Sequence, residues 1–211
     1  QGADLIVGPL DKDQVQTLIN DTKLTVPTLA LNAVTDKNVP NLFQFGLSQL
    51  DEADQVAQRA LRDGHRRALV IAPAGNWGAG IAARFKSRWQ TEGGVVVDQL
   101  NYQQSAQLSE KIRQVLHVAP QVGKKAAGTL AHRRQDIDMI FLLAEPTRAR
   151  EIAPLLKFYY AGDIPVYATS SIYSGMKNVT QDGDLDNIQF ADMPWVLGGL
   201  PNNLAALQQN V

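Results

Sequence analysis

No cysteine occurs among the 211 residues, so disulfides, thiolate metal sites and a thiol nucleophile are all excluded. Histidine is scarce. His65, His117 and His132 stand apart, and none has a second histidine at H-x-x-x-H spacing, so no metal site is expected. No apolar run approaches the roughly 20 residues that a helix needs to cross a bilayer. An excess of either charge is missing too: 20 Lys and Arg stand against 21 Asp and Glu, a formal net charge of −1. That balance gives no global field to attract nucleic acid or an anionic membrane, although a local basic patch can still serve a partner. There is no signal peptide and no N-terminal Cys to carry a lipid. Because Gln1–Gly2–Ala3 leads straight into an apolar segment, the chain reads as a fragment whose targeting segment and first βα units lie upstream.

What is present is a core-forming composition, 45% hydrophobic and 19% charged, enough for one or two compact domains. Ala3–Gly8 reads as a short buried strand. Asp11 and Gln14 then have the spacing of a capping box for a helix that buries Val15, Leu18 and Ile19. Strands follow over Val26–Leu31 and Asn41–Leu47, the latter with Phe43 and Phe45 on one face. Ser48 caps a helix whose stripe is Ala53, Val56, Ala57, Ala60 and Leu61. Ala68–Ala72 is a strand, and after a glycine-rich turn Ile81, Phe85 and Trp89 recur at i, i+4 and i+8 on the next helix. Val95–Val97 opens another strand, and Ser105 caps a helix carrying Leu108, Ile112, Val115 and Leu116. The rhythm breaks near 120–135, which is rich in Gly, Ala, Lys and Arg, lacks an apolar stripe, and reads as a mobile surface insertion.

The stretch from Arg133 to Gly175 resumes the pattern with little slack. Ile137–Ala144 is almost wholly apolar, as suits a parallel strand buried on both faces. Pro146 fits a first helical turn, Ile152, Leu155, Leu156 and Tyr159 form one stripe, Gly162 ends the helix, and Val166–Ser170 is the next strand. Ile188–Ala191 is a last strand. Repeated βα units of this length predict a doubly wound α/β fold.

The segments DIDMIFLLAEPTRAREIAPLLKFYYAG and IPVYATSSIYSG, with QGADLIVGPL at the start and FADMPWVLGG near the end, resemble the LppC/LpoA family of bacterial lipoproteins, activators of penicillin-binding proteins. The resemblance implies a type I periplasmic-binding-protein-like fold, two Rossmann-like lobes with parallel sheets, the first incomplete here. On that template residues 1–47 are part of the first lobe, 48–192 form the second, and 193–211 cross back. It also implies a noncatalytic activator of a class A penicillin-binding protein that promotes peptidoglycan cross-linking. Such a protein stands on the periplasmic side of the outer membrane of a Gram-negative bacterium and meets the membrane only through a lipid anchor outside this fragment. The alternative is a periplasmic solute-binding protein for a small polar ligand such as an amino acid or a muropeptide.

Reacting groups are hard to assemble. Gly75-Asn76-Trp77-Gly78-Ala79-Gly80 follows a strand and opens a helix, but lacks the G-x-G-x-x-G order and the Lys–Ser/Thr of a P-loop. It reads as a βα turn with Trp77 lining the interlobe cleft. Ser170–Ser171 lacks the flanking glycines of a nucleophile elbow. Asp136 and Asp138 read as solvated neighbours. Glu145 suits the positive end of a helix before Pro146. No catalytic residue and no cofactor is therefore expected. Strand-end positions give ligand candidates for the cleft: Gly8, Asn32, Ser48, Asn76, Trp77, Glu145 and Ser170. Lys124, Lys125, Arg133 and Arg134, with His132, form a basic cluster that could meet an acidic protein surface. Without interleaved aromatics it does not fit single-stranded nucleic acid.

Overall fold

Apolar segments too short for helices, set between amphipathic ones, pair as parallel strands with helices on their faces. The computed structural model describes residues 2–21, 23–34, 38–46, 48–103, 107–120, 133–175 and 182–193. The chain divides into two compact units, Gln1–Asp51 and Glu52–Val211.

The first unit holds β1 (Ile6–Val7), α1 (Lys12–Asp21), β2 (Thr28–Ala30) and β3 (Leu42–Gln44), with the sheet ordered β1-β2-β3 and both pairings parallel. Asp11 caps α1 as its spacing suggests: its Oδ1 accepts from the N–H of Asp13 at 2.9 Å and of Gln14 at 3.1 Å. The core here is Val15, Ala30 and Leu42, while Phe43 and Phe45 share an exposed face. The first strand is not buried as expected: Leu5, Ile6 and Val7 are exposed, because β1 lies at the edge of this small sheet.

The second unit takes helix α2 (Gln49–Arg62) from Glu52 onward. Then come β4 (Arg67–Pro73), α3 (Asn76–Thr91), β5 (Val95–Tyr102), α4 (Leu108–Val115), β6 (Met139–Leu142), α5 (Pro146–Phe158), β7 (Val166–Ala168) and β8 (Ile188–Phe190). The sheet order is β5-β4-β6-β7-β8, all parallel. Because successive side chains point to opposite faces, β4 and β6 divide their residues between two helical layers. Val70, Met139 and Phe141 meet α2 and α3, while Leu69, Ile71, Ile140 and Leu142 meet α4 and α5. Phe141 stacks on Phe85 with ring centroids 4.1 Å apart, and Phe85 stacks on Trp89 at 5.5 Å. The apolar stripe expected of α2 is buried throughout, as are Ile81, Phe85 and Trp89.

Strand β5 opens at Val95–Val97 as expected and runs on to Tyr102, paired with β4 along its length and with Leu100 and Tyr102 buried. Other local expectations fail. Gly162 does not end α5. Tyr160 takes the left-handed conformation there, with φ 63°, and Arg133 Nε donates to its carbonyl at 2.6 Å. Asp136 and Asp138 are not merely solvated: Asp138 accepts from the backbone N–H of Arg66 and Arg67, tying β4 to the strand beside it, and Asp136 pairs with Arg134. The cap assigned to Ser105 and residues 121–132 of the insertion expected near 120–135 lie outside the described residues.

Arg134 is a structural clamp. Its side chain is 9% exposed and bonds Asp98 at 2.7 Å, Asp136 at 2.7 and 2.8 Å and the Val115 carbonyl at 3.2 Å. Its backbone N–H donates to Leu116 O at 3.0 Å, so the chain on either side of 121–132 is fastened to the same place. The Arg134 guanidinium holds the Asp136 carboxyl down at about 2.

Two glycines of α3 test the packing at the start of that helix. A Cβ at Gly78 would lie 2.0 Å from the Pro73 carbonyl oxygen, whereas one at Gly80 would meet nothing within 4 Å. Gly80→Ala is expected to stabilise the protein by about 0.5–1 kcal/mol, the usual helix preference. Gly78→Ala should reverse that sign and destabilise by roughly 1–3 kcal/mol, since backbone must move. Urea unfolding of the pair checks this, and equal effects would contradict it. Arg134→Gln should cost roughly 1–2 kcal/mol near neutral pH, the partners being half-exposed. Asp136 has a folded-state value below its ordinary one of about 4, so its contribution is complete above that pH and lost as pH falls through about 2. Melting curves from neutral pH down to about 2 should therefore show the wild type and Arg134→Gln converging in acid.

Candidate functional site

In an open parallel sheet, ligands approach the carboxyl ends of the strands where the strand order reverses. Strand β4 is that point in the second unit, since α3 leads from it to β5 on one side and α4 leads back to β6 on the other. The carboxyl ends of β4, β5 and β6 border a cavity of about 510 Å³, lined by Pro73, Ala74, Gly75, Trp77, Tyr102, Gln103, Glu145 and Arg148.

Each lining residue is set by the backbone beneath it. The N–H of Ala74 donates to Tyr102 O at 2.7 Å, which extends the β4–β5 ladder past the end of β4 and delays the turn until Gly75. Gly75 has φ 107°, a conformation that a side chain would strain. The chain then enters α3 with Trp77 in its first turn, 41% exposed. Close contact of Gly78 with Pro73 fixes where the turn ends. On the other wall, Glu145 is the N-cap of α5 in extended geometry and Pro146 begins the helix, as their order suggests. The Glu145 carboxylate makes no capping hydrogen bond, so it is not engaged by the helix N–H groups. Arg148, one turn in, pairs with Glu151.

Tyr102 forms a fixed floor. Its hydroxyl donates to Leu143 O at 3.0 Å. Burial pushes the phenol up to about 12, with Arg148 pulling it down and Glu145 pushing it further up, so both charges act on this one hydroxyl. The cavity thus presents an aromatic wall, a carboxylate and a guanidinium. Among the described residues no group of three or more His, Asp or Glu could hold a metal ion.

Of the residues singled out from the sequence, Trp77 and Glu145 line this cavity together. Asn76 opens α3 beside them but is not part of the lining. Ser170 is engaged elsewhere, with both its N–H and its hydroxyl donating to the Glu52 carboxylate at 2.8 and 2.9 Å. Burial raises the Glu52 carboxyl, the Ser170 bonds oppose this, and nearby Asp192 adds to it. In the first unit, Asn32 binds Leu10 O through Nδ2 and Ser48 Oγ accepts from Asp51 N at 3.4 Å. Gly8, at φ 119°, lines a separate recess of about 500 Å³ with Ile6, Val7 and Leu18. Among the basic residues, Arg133 is 9% exposed and pairs with Asp163 at 2.5 Å, and Arg134 is the clamp described above. Lys124, Lys125 and His132 lie outside the described residues. Tyr102, Gln103 and Arg148 were not singled out from sequence. The signals for them are a strand-end aromatic, the residue after it, and a basic residue three positions beyond Glu145.

Residues 1–211 match the family described as "LppC putative lipoprotein". A curated relative, the penicillin-binding protein activator LpoA of Yersinia pseudotuberculosis, is 28% identical over 236 residues, covering 99% of this chain and 35% of that protein. The chain thus spans about a third of the length of the curated relatives it matches. The solved C-domain of LpoA from Haemophilus influenzae, described as a regulator of PBP1A, has a TM-score of 0.74 at 23% identity, covering 98% of this chain and 61% of that one. An ABC transporter substrate-binding protein from Desulfitobacterium hafniense has a TM-score of 0.62 at 17% identity, covering 99% of this chain and 57% of that one. These likenesses show the fold, the α/β architecture of periplasmic binding proteins with parallel sheets. With its whole length matched, the chain belongs to the LppC family of lipoproteins.

Proposed function

We propose that the protein containing this chain activates a class A penicillin-binding protein and so promotes peptidoglycan cross-linking. In this reading it is a noncatalytic lipoprotein on the periplasmic side of the outer membrane, its lipid anchor lying outside residues 1–211. The observation that carries the reading is the whole-chain family match, joined to relatives named as penicillin-binding protein activators. The physical character of the second unit supports it. A sheet covered on both faces and cross-braced by ion pairs is a rigid support for a docking surface. Residues 1–47 would belong to a first lobe, 48–192 to the second, and 193–211 to the return crossing.

The basic cluster remains the candidate contact, with its members now given different roles. Arg133 and Arg134 are held by Asp163, Asp98 and Asp136, which leaves Lys124 and Lys125 to meet an acidic partner surface. In the full-length protein, Lys124→Glu with Lys125→Glu should weaken co-purification with the synthase and its stimulation of transpeptidation at least about tenfold, with no change in melting temperature. Arg134→Glu should lower the melting temperature as well. Unchanged stimulation by the double lysine variant would remove these residues from the interface. Absence of stimulation by the unaltered full-length protein would overturn the activator reading itself.

A further inference from the structure

We propose that the aromatic shelf at the carboxyl end of α5, formed by Phe158, Tyr159 and Tyr160, docks an acidic protein segment that inserts one bulky apolar side chain into the recess beside the rings. The inference rests on the activator reading and deepens it, the segment being part of the penicillin-binding protein.

Phe158 lies off the buried stripe of α5, which is Ala149, Ile152, Ala153 and Leu156, and is 66% exposed. Tyr160 is 49% exposed and holds a left-handed backbone that asparagine or glycine adopts at less cost. Two large rings are thus kept in water where neither serves the core. Their support is firm. Tyr159 packs edge-on against Phe158 with ring centroids 5.0 Å apart, and its hydroxyl is 2.9 Å from Ser109 Oγ, which ties the shelf to α4. Arg133 holds the Tyr160 carbonyl. With Arg113, Val118 and Ala119, the three aromatic residues line a recess of about 150 Å³. Small-molecule sites take roughly 300–1,000 Å³, so this recess has the size for a side chain presented by a larger partner.

Charge and position narrow the partner. Arg113 is paired with Glu110 and Arg133 with Asp163, so neither is left to set the sign. Next to the rings, Lys157 is exposed in the last turn of α5 and forms no ion pair among the described residues. The sequence has no Asp or Glu from Lys111 through Gln135. The balance left near the shelf is positive, which favours an acidic segment and disfavours a basic one. Ala119 lines the recess and Arg133 bonds Tyr160 O, so the stems on both sides of 121–132 reach the shelf. It is therefore continuous along the chain with the contact proposed for Lys124 and Lys125. An aromatic centre with a charged rim is the usual anatomy of a protein interface, whereas a bilayer presents no single side chain to fill a recess.

The test uses the full-length protein and the purified class A penicillin-binding protein, with binding followed by calorimetry and function by the rate of transpeptidation. Phe158→Ser should weaken binding at least about tenfold, and Tyr160→Asn, which suits the left-handed backbone, should do likewise, neither lowering the melting temperature. Phe158→Trp should bind as the unaltered protein does. Lys157→Glu should slow association and flatten its salt dependence, whereas Lys86→Glu, on α3 in the other helical layer, should change nothing. If the unaltered protein binds and stimulates while Phe158→Ser and Tyr160→Asn match it, the shelf is overturned and the activator reading stands. If the unaltered protein neither binds nor stimulates, both fall. Tighter binding to phosphatidylglycerol vesicles than to the synthase, or self-association, lost with the same two substitutions, would overturn the inference in favour of a membrane or a second copy of this chain.

Discussion

Strand β6 is the constraint on which the second unit depends. Met139, Ile140, Phe141 and Leu142 are all buried, so neither face of the strand can meet water, and helices must cover both. The alternation of side chains then decides which helix serves which face. Phe141 is locked against Phe85 and, through it, Trp89, while Ile140 and Leu142 join the layer of Ile112 and Ile152. Removing Phe141 would open a void in a stack of three rings, a change of roughly 3–5 kcal/mol, comparable with the whole stability of many domains.

The two edges of this sheet are built differently. At the amino ends of the strands, Asp138 joins the start of β4 to the approach to β6, Tyr167 donates to Asp63, and Arg134 gathers Asp98 and Asp136. Most of these charges are partly wet, so each pair alone adds little, but together they fix the register of neighbouring strands. At the carboxyl ends the chain instead makes turns with a left-handed glycine and helix starts without side-chain caps, leaving an open cavity between them. Rigidity and chemical opportunity are thereby separated across the width of one sheet.

Much of this was legible in the sequence because it depends on local period. The buried run Ile137–Ala144, the stripe of α2 and the Ile81–Phe85–Trp89 spacing each report their surroundings directly. What was not legible depends on partners far along the chain. Ser170 looked open to ligand, but its hydroxyl belongs to Glu52, 118 residues away. Arg133 and Arg134 looked like part of a basic docking cluster, yet their acceptors include Asp163 and Asp98, 30 and 36 residues distant. Gly162 looked like the stop for α5, but the Arg133 bond makes a left-handed Tyr160 acceptable two residues earlier. In the candidate site, Trp77 and Glu145 were found from their strand-end positions, while Arg148 became relevant only when the first turn of α5 brought it to the same wall.

The bond from Arg134 N–H to Leu116 O has an evolutionary reach beyond its own strength. With both stems of the intervening segment stitched together, the sheet does not register how many residues lie between them, because doubling a loop adds only about 0.6 kcal/mol of closure entropy. Lineages can therefore lengthen, shorten or recharge residues 121–132 while the scaffold on either side keeps its geometry.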